Sequence, residues 1–215
     1  LGFGKKTGID LNGEATGILF NLDKVGPVEL ATTAFGQGIS VTALQQVTAV
    51  SAIVNGGTLY TPYIVSSVGD DSKSPVIKKE NIITKETSDV VKYALESVVA
   101  NGSGRNAYIE NYRIGGKTGT AQKVGSDGRY MQGNYVLSFI GFMPADNPDY
   151  VMYIAIDHAK GVTQYGGVVS APIARNVFKD IISIHDIKED TKGIPKSYRW
   201  DDIVYKMIPD VIGKT

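Results

Sequence analysis

Gly115-Gly116-Lys117-Thr118-Gly119-Thr120-Ala121-Gln122 is the stretch from which the rest of the chain is read. With Ile114 before it, the segment from Tyr112 to Gln122 mixes an apolar residue with Gly and Thr at no helical spacing. It reads as a strand whose glycines let another backbone come close. Two further strands are predicted downstream, Tyr135 to Phe142 and Tyr150 to Asp157, joined by the turn cluster Pro144-Ala145-Asp146-Asn147-Pro148. Short links between successive strands predict an antiparallel meander. Val169, Ile173, Val177, Ile181 and Ile184 then fall at helical spacing, which predicts a helix over 168–184 that packs on the sheet. The fold class is α/β in the broad α+β sense: an antiparallel β-sheet covered by helices.

Upstream, the pattern is less regular. Residues 1–38 are rich in Gly, Thr and short polar residues and read as loops with short extended pieces. Val41, Leu44, Val47, Val50 and Ile53 predict a helix with Ser40 or a neighbour as N-cap and Asn55-Gly56-Gly57 as its stop. Thr58 to Val68 reads as an edge or irregular strand because Pro62 lies inside it. Residues 69–81 are charged and turn-rich. A second helix is expected from about Lys85 to Ala100, ended by Asn101-Gly102-Ser103-Gly104. Residues 124–134 read as a polar loop and 186–207 as a charged linker.

Composition narrows the chemistry. Of 215 residues, Lys plus Arg number 22 and Asp plus Glu number 22, a net charge of zero. Such a chain has no general electrostatic pull on nucleic acid. Its 12 tyrosines lack the basic interleaving of a nucleic-acid platform. The hydrophobic share of 42% is enough for a real core. Cysteine is absent, which removes disulfides, thiolate nucleophiles and Cys–metal sites. Two histidines, His158 and His185, are too few for a multi-histidine metal site, and no metal or cofactor is expected. His158, at the end of a strand, reads as a satisfied loop residue rather than a proton relay. No apolar run is long enough to span a membrane. Leu1 to Gly8 reads as the middle of a domain, so a fragment, a processed product or the ordered part of a longer chain is expected.

Gly-Lys-Thr invites a phosphate-loop reading, which fails. The Gly required five residues earlier is Asn111 for Gly116-Lys117 and Ile208 for Gly213-Lys214. Lys117 also sits in an extended segment with no helix starting just after it. The strand itself suggests other chemistry. Thr118 and Thr120 share one face. Gly119 admits a ligand backbone, and an exposed edge offers donors and acceptors to an extended peptide. Two hydroxyls and an ammonium suit a carboxylate, and a strand-end N–H can serve an oxyanion.

Lys117-Thr118-Gly119 followed by Thr120 resembles the third motif of the serine penicillin-binding proteins and serine β-lactamases. Other segments agree in order: Phe35-Gly36-Gln37-Gly38; Asn55-Gly56-Gly57 with Tyr60-Thr61-Pro62; Gly115-Gly116; Gly141-Phe142-Met143-Pro144; and Gly166-Gly167 with Ala171-Pro172. Together, residues 1–185 resemble the C-terminal part of the transpeptidase domain of a class B penicillin-binding protein. Residues 208–215, Ile208-Pro209-Asp210-Val211-Ile212-Gly213-Lys214-Thr215, resemble the opening of a PASTA repeat, which points to the spore-cortex subgroup. A second copy of the tripeptide, Lys6-Thr7-Gly8, lies in a loop-like region and is expected to be structural.

The resemblance implies a five-stranded sheet with helices on both faces, of which this chain holds an incomplete set. It implies a D,D-transpeptidase that cross-links peptidoglycan stem peptides ending in D-Ala-D-Ala through an acyl-serine and is blocked by β-lactams. Lys117, Thr118 and Thr120 match the catalytic motif: Lys117 for positive potential and the proton network, the two hydroxyls for the carboxylate, and Thr120 N–H for the oxyanion. Gly119 and Gln122 match substrate-contacting positions. The nucleophile is missing. No Ser in the chain has Lys three residues on, and no Ser-x-Asn occurs. Both are expected upstream in the same protein, so the chain alone is expected to be inactive. The family also implies an extracytoplasmic domain held at the bacterial cell membrane by an N-terminal helix. Two other readings stand beside it: a non-catalytic penicillin-binding sensor or scaffold of the same fold, and a module that binds extended peptides at a sheet edge.

Overall fold

A computed structural model describes residues 1–194. The PASTA-like stretch 208–215 and the expected linker beyond residue 194 lie outside the described residues. In chain order the elements are a 3-10 turn (Leu22–Lys24), α1 (Pro27–Ala34), α2 (Ala43–Val54), β1 (Leu59–Thr61), β2 (Ser67–Val68), β3 (Asp71–Ser72), β4 (Val76–Lys79), α3 (Lys85–Asn101), a second 3-10 turn (Arg105–Ala107), β5 (Gly115–Val124), β6 (Tyr130–Met143), β7 (Tyr150–Asp157) and α4 (Gly166–Ile184).

The meander is the principal sheet, in the order β5-β6-β7, antiparallel throughout. Thr118 pairs with Phe139 and Thr120 with Leu137, while Phe139 in turn faces Ile154 on β7. Period-two alternation gives each face its own core. On one, Phe139 packs with Val99 of α3 and with Ala171, Ala174 and Phe178 of α4. On the other, Phe142 packs with Val54 at the end of α2, with Val50, Ile53 and Leu95 around it. Each fully buried Phe contributes about 1.5–3 kcal/mol relative to exposure. The buried face of α4 is Gly166, Ser170, Ala171, Ala174 and Phe178, mostly small residues, so the helix axis comes close to the sheet. Ser170 Oγ donates to Leu137 O at 2.8 Å, which spares that buried hydroxyl an unpaired state.

Gly115 and Gly116 make both cores possible. A Cβ on Gly115 would overlap the Phe142 ring, and one on Gly116 would overlap the Phe139 ring and lie 2.7 Å from Ile140 O. The motif strand therefore begins with two residues whose missing side chains leave room for an aromatic ring on each face.

Several expectations need correction. Of Ser40 and its neighbours, it is Thr42 that caps α2. Thr42 Oγ1 accepts from Gln45 N, and Gln45 Oε1 accepts from Thr42 N, a reciprocal box. Ser40 is committed elsewhere, its backbone paired in both directions with Ile18. Residues 27–34, read as loop, form α1. Pro27 starts it and Glu29 accepts from Gly26 N at 2.9 Å, but none of its residues is buried, so no apolar period betrayed it. The turn-rich residues 69–81 contain β3 and β4. β4 pairs with β1, and β2 with β3, so the single irregular strand expected over 58–68 is broken over 62–66, starting at Pro62. The loop expected over 124–134 is mostly hairpin, with Val124 paired to Tyr130. Residues 186–194 run back along the domain: Asp190 N donates to Asn111 O and Ile194 N to Glu96 Oε1. The principal sheet has three strands among the described residues, against the five the family implies for a complete domain.

Candidate functional site

Among the described residues β5 pairs only with β6, so its other edge is open along the whole Lys-Thr-Gly segment. Alternation splits the motif between two faces. Lys117 and Gly119 lie on the face shared with Phe142, and Thr118 and Thr120 on the face that α4 covers. Lys117 is exposed, and its Nζ donates to Thr118 O at 2.9 Å. Ser138 lies opposite Gly119, and a Cβ at 119 would overlap its Oγ.

The α4 face is built by two elements that the sequence did not connect to the motif. The first turn of α4 rests on the strands, and a Cβ on Gly166 would overlap Gly119 O and Ser138 O. At that distance Gly166 N donates to Thr120 Oγ1 at 3.2 Å. The second element is the loop after α3. Gly102 N and Gly104 N both return to Val98 O, which turns the chain so that Ser103 Oγ sits 3.0 Å from Thr118 Oγ1. Asn106 Nδ2 donates to Gly167 O at 2.7 Å and fastens the loop to α4. The sequence places Ser103 at the end of the second helix and Gly166 in a Gly-Gly pair before the last one. Nothing in their local pattern announces a link to residues 118 and 120, because both contacts are tertiary.

Gln122 lies further along β5, half-buried, with Nε2 donating to Met131 O at 3.1 Å, so its amide braces the hairpin. Tyr165, at the N-cap of α4, is exposed beside Gly166. His158 has a positive φ of 56° and its N–H bonds Tyr135 O, which marks it as a turn residue at the end of β7. The other Lys-Thr-Gly folds inward: Thr7 is buried, and its N–H and hydroxyl, with Gly8 N, all donate to Glu14. Those donors, the Thr7 hydroxyl first, hold the Glu14 carboxyl below its ordinary range. That copy serves an internal carboxylate.

A cavity of about 450 Å³ lies elsewhere. Glu96, Glu110, Arg175 and Asp190 line it, and no residue of the Lys-Thr-Gly segment does. Among the described residues no helix is long and apolar enough to cross a membrane, and no group of three or more His, Cys, Asp or Glu could hold a metal ion. The motif is thus an open strand edge, with an ammonium on one side and two backed hydroxyls on the other. Its hydroxyls, ammonium and unpaired backbone edge are hydrogen-bond donors gathered on one strand.

The family model of the penicillin-binding protein transpeptidase domain matches residues 1–179. Stage V sporulation protein D of Bacillus subtilis is 56% identical over 219 residues, covering 99% of this chain and 34% of that protein. Peptidoglycan D,D-transpeptidase FtsI of Escherichia coli K12 is 33% identical over 190 residues, covering 88% of this chain and 31% of that one. Penicillin-binding protein 3 of Mycobacterium tuberculosis, solved in complex with ampicillin, superposes with a TM-score of 0.77 at 29% identity, over 90% of this chain and 46% of that one. The chain spans about a third of the length of the curated relatives it matches. With a family match over most of its length, and the Lys-Thr-Gly segment folded as the open edge of a helix-backed antiparallel sheet, this chain belongs to the penicillin-binding protein transpeptidase domain family.

Proposed function

We propose that this chain is the C-terminal part of the catalytic domain of a peptidoglycan D,D-transpeptidase. The observation that carries the reading is the open edge of β5, with Lys117 on one face and the hydroxyls of Thr118 and Thr120 held on the other. A stem peptide ending in D-Ala-D-Ala lies along that edge as an added strand. Thr118 and Thr120 donate to its terminal carboxylate. Lys117 supplies positive potential and joins the proton network. Gly119 lets the peptide backbone approach, and Gln122 borders the cleft where the hairpin begins. The upstream part of the protein contributes a Ser-x-x-Lys helix and a Ser-x-Asn element. The Ser Oγ attacks the carbonyl carbon of the penultimate D-Ala, with its proton taken by the neighbouring Lys amine. Thr120 N–H and the Ser N–H hold the oxyanion. The terminal D-Ala leaves with a proton. An amine of a second stem peptide then attacks the ester carbonyl, forms the cross-link and frees the Ser. A β-lactam enters the same way but stays as the acyl-enzyme.

A surface feature supports a partner segment of this kind. Leu22, Val28, Leu30 and Phe35 are largely exposed around α1, an apolar face suited to being covered by the rest of the catalytic domain. The division of the chain into a transpeptidase part (1–185), a linker (186–207) and the start of a PASTA-like repeat (208–215) belongs to the same proposal. So do a role in sporulation, which the identity to stage V sporulation protein D supports, and an extracytoplasmic location set by an N-terminal membrane helix.

The test uses the complete protein. Acylation by a fluorescent penicillin is measured for the wild type and for Lys117→Ala. Loss of a preorganised charge at the reacting centre is expected to slow acylation roughly 100-fold or more. Acylation at the wild-type rate in Lys117→Ala, or a complete protein without Ser-x-x-Lys, would overturn the reading and leave the sensor or scaffold alternative.

A further inference from the structure

We infer that Ser103, in the loop after α3, is a positioning residue that sets the Thr118 hydroxyl as a hydrogen-bond donor to the ligand carboxylate. The inference rests on the proposed role of β5. It extends that role to a residue outside the Lys-Thr-Gly segment.

The argument begins with Thr120. A hydroxyl has one proton to give and lone pairs to receive. Gly166 N–H can only donate, and it donates to Thr120 Oγ1. The Thr120 proton is therefore left for something else. A carboxylate accepts and never donates, so Thr120 is preset for it. Thr118 shares that face, and its oxygen is backed not by an N–H but by the Ser103 hydroxyl at 3.0 Å, a pair in which either atom can donate. Without ligand the direction is free. When a carboxylate sits on β5, Thr118 must turn its proton to the ligand, and Ser103 must then donate to Thr118. One arrangement satisfies all three groups, and each hydrogen bond in the chain polarises the next.

The surroundings hold this geometry. Thr118 has its methyl toward α4, where a Cβ on Gly167 would stand 3.4 Å from Cγ2, and its Oγ1 toward Ser103. Ser103 O abuts Gly167 so closely that a Cβ there would overlap it. Asn106 Nδ2 to Gly167 O, together with the turn onto Val98 O, fixes the loop from both ends. A hydroxyl on a pinned loop is an oriented donor at little entropic cost. Ser103 is itself exposed, so removing its hydroxyl takes away a hydrogen bond without opening a hole in the core.

The complete protein carries the test, as a double-mutant cycle read by the second-order rate of acylation with benzylpenicillin. Ser103→Ala is expected to lose about five- to tenfold, the worth of one hydrogen bond. Ser103→Thr, which keeps the hydroxyl, is expected to stay within about threefold of wild type. Thr118→Ala is expected to lose at least as much as Ser103→Ala, and adding Ser103→Ala to it is expected to cost nothing further. Additive losses, or a wild-type rate in Ser103→Ala while Thr118→Ala is slow, would overturn the role of Ser103 and leave the reading of β5 intact. A wild-type rate in Thr118→Ala would overturn both. A purely structural Ser103 would give equal losses with and without the Thr118 hydroxyl, and so counts against the inference.

Discussion

Gly116 shows how much a single residue decides here. It precedes the motif lysine, and its missing side chain is where the Phe139 ring lies. Gly116→Ala forces the ring or β6 to move, and overpacking of this kind costs about 1–3 kcal/mol. The expected outcome is a lowered urea midpoint with an unchanged slope, together with slower acylation in the complete protein, because Lys117 is the next residue. A change at Gly13, where an added Cβ meets nothing within 4 Å but the φ is +83°, provides a comparison that isolates backbone strain from crowding. At the same scale Ser88, wholly buried, donates to Ile53 O at 2.6 Å and accepts from Gly56 N. One hydroxyl thereby satisfies two backbone groups at the end of α2.

Elements in the N-terminal half are joined by polar clamps more than by core. Asp10 accepts from Ile64 N and Val65 N, between β1 and β2, and from Lys73 Nζ at 2.8 Å, just after β3. The Lys73 ammonium first, and then the Ile64 N–H, hold the Asp10 carboxyl at about 2 against an ordinary value of 3.8. A depressed carboxyl favours the folded state only while it is ionised. Its contribution is full above about pH 3.8 and is lost as pH falls toward about 2. Asp10→Asn is expected to lower stability at neutral pH and to flatten the acid limb in that window. Urea midpoints taken across it for both proteins check this, and parallel acid limbs would refute it.

Across the whole molecule, Arg113 holds together parts that are distant in sequence. Its Nε and Nη2 bind Glu96 of α3 at 3.0 and 2.8 Å, and its Nη1 reaches Asp146 of the β6–β7 turn at 3.0 Å and Asp190 at 3.8 Å. The Glu96 carboxylate before all raises the guanidinium above its ordinary range. Glu96 is almost entirely buried, so removing its partner leaves a charge in the core. Arg113→Met is expected to destabilise by about 3 kcal/mol, whereas replacing Glu96 and Arg113 together by apolar residues is expected to cost much less. Chemical denaturation of the single and double variants checks this, and equal losses in both would refute it.

Sequence alone determined the sheet and its order, since β5, β6 and β7 follow one another over short links and α4 has an apolar period of 3.6. It also singled out the segment proposed as the site, because Lys117-Thr118-Gly119-Thr120 is local and its neighbours stand in a fixed order. It missed α1, which buries no residue and so shows no apolar stripe, and it missed β4, four exposed residues whose only signal is a partner 17 positions away at Tyr60↔Ile77. Only the tertiary structure decided which groups back the motif. Gly166 and Ser103 reach Thr120 and Thr118 from 46 and 15 positions away. Hydrogen bonds formed by packing a helix and a loop on a strand have no local pattern to betray them, because they depend on where the chain returns and not on what stands beside each residue.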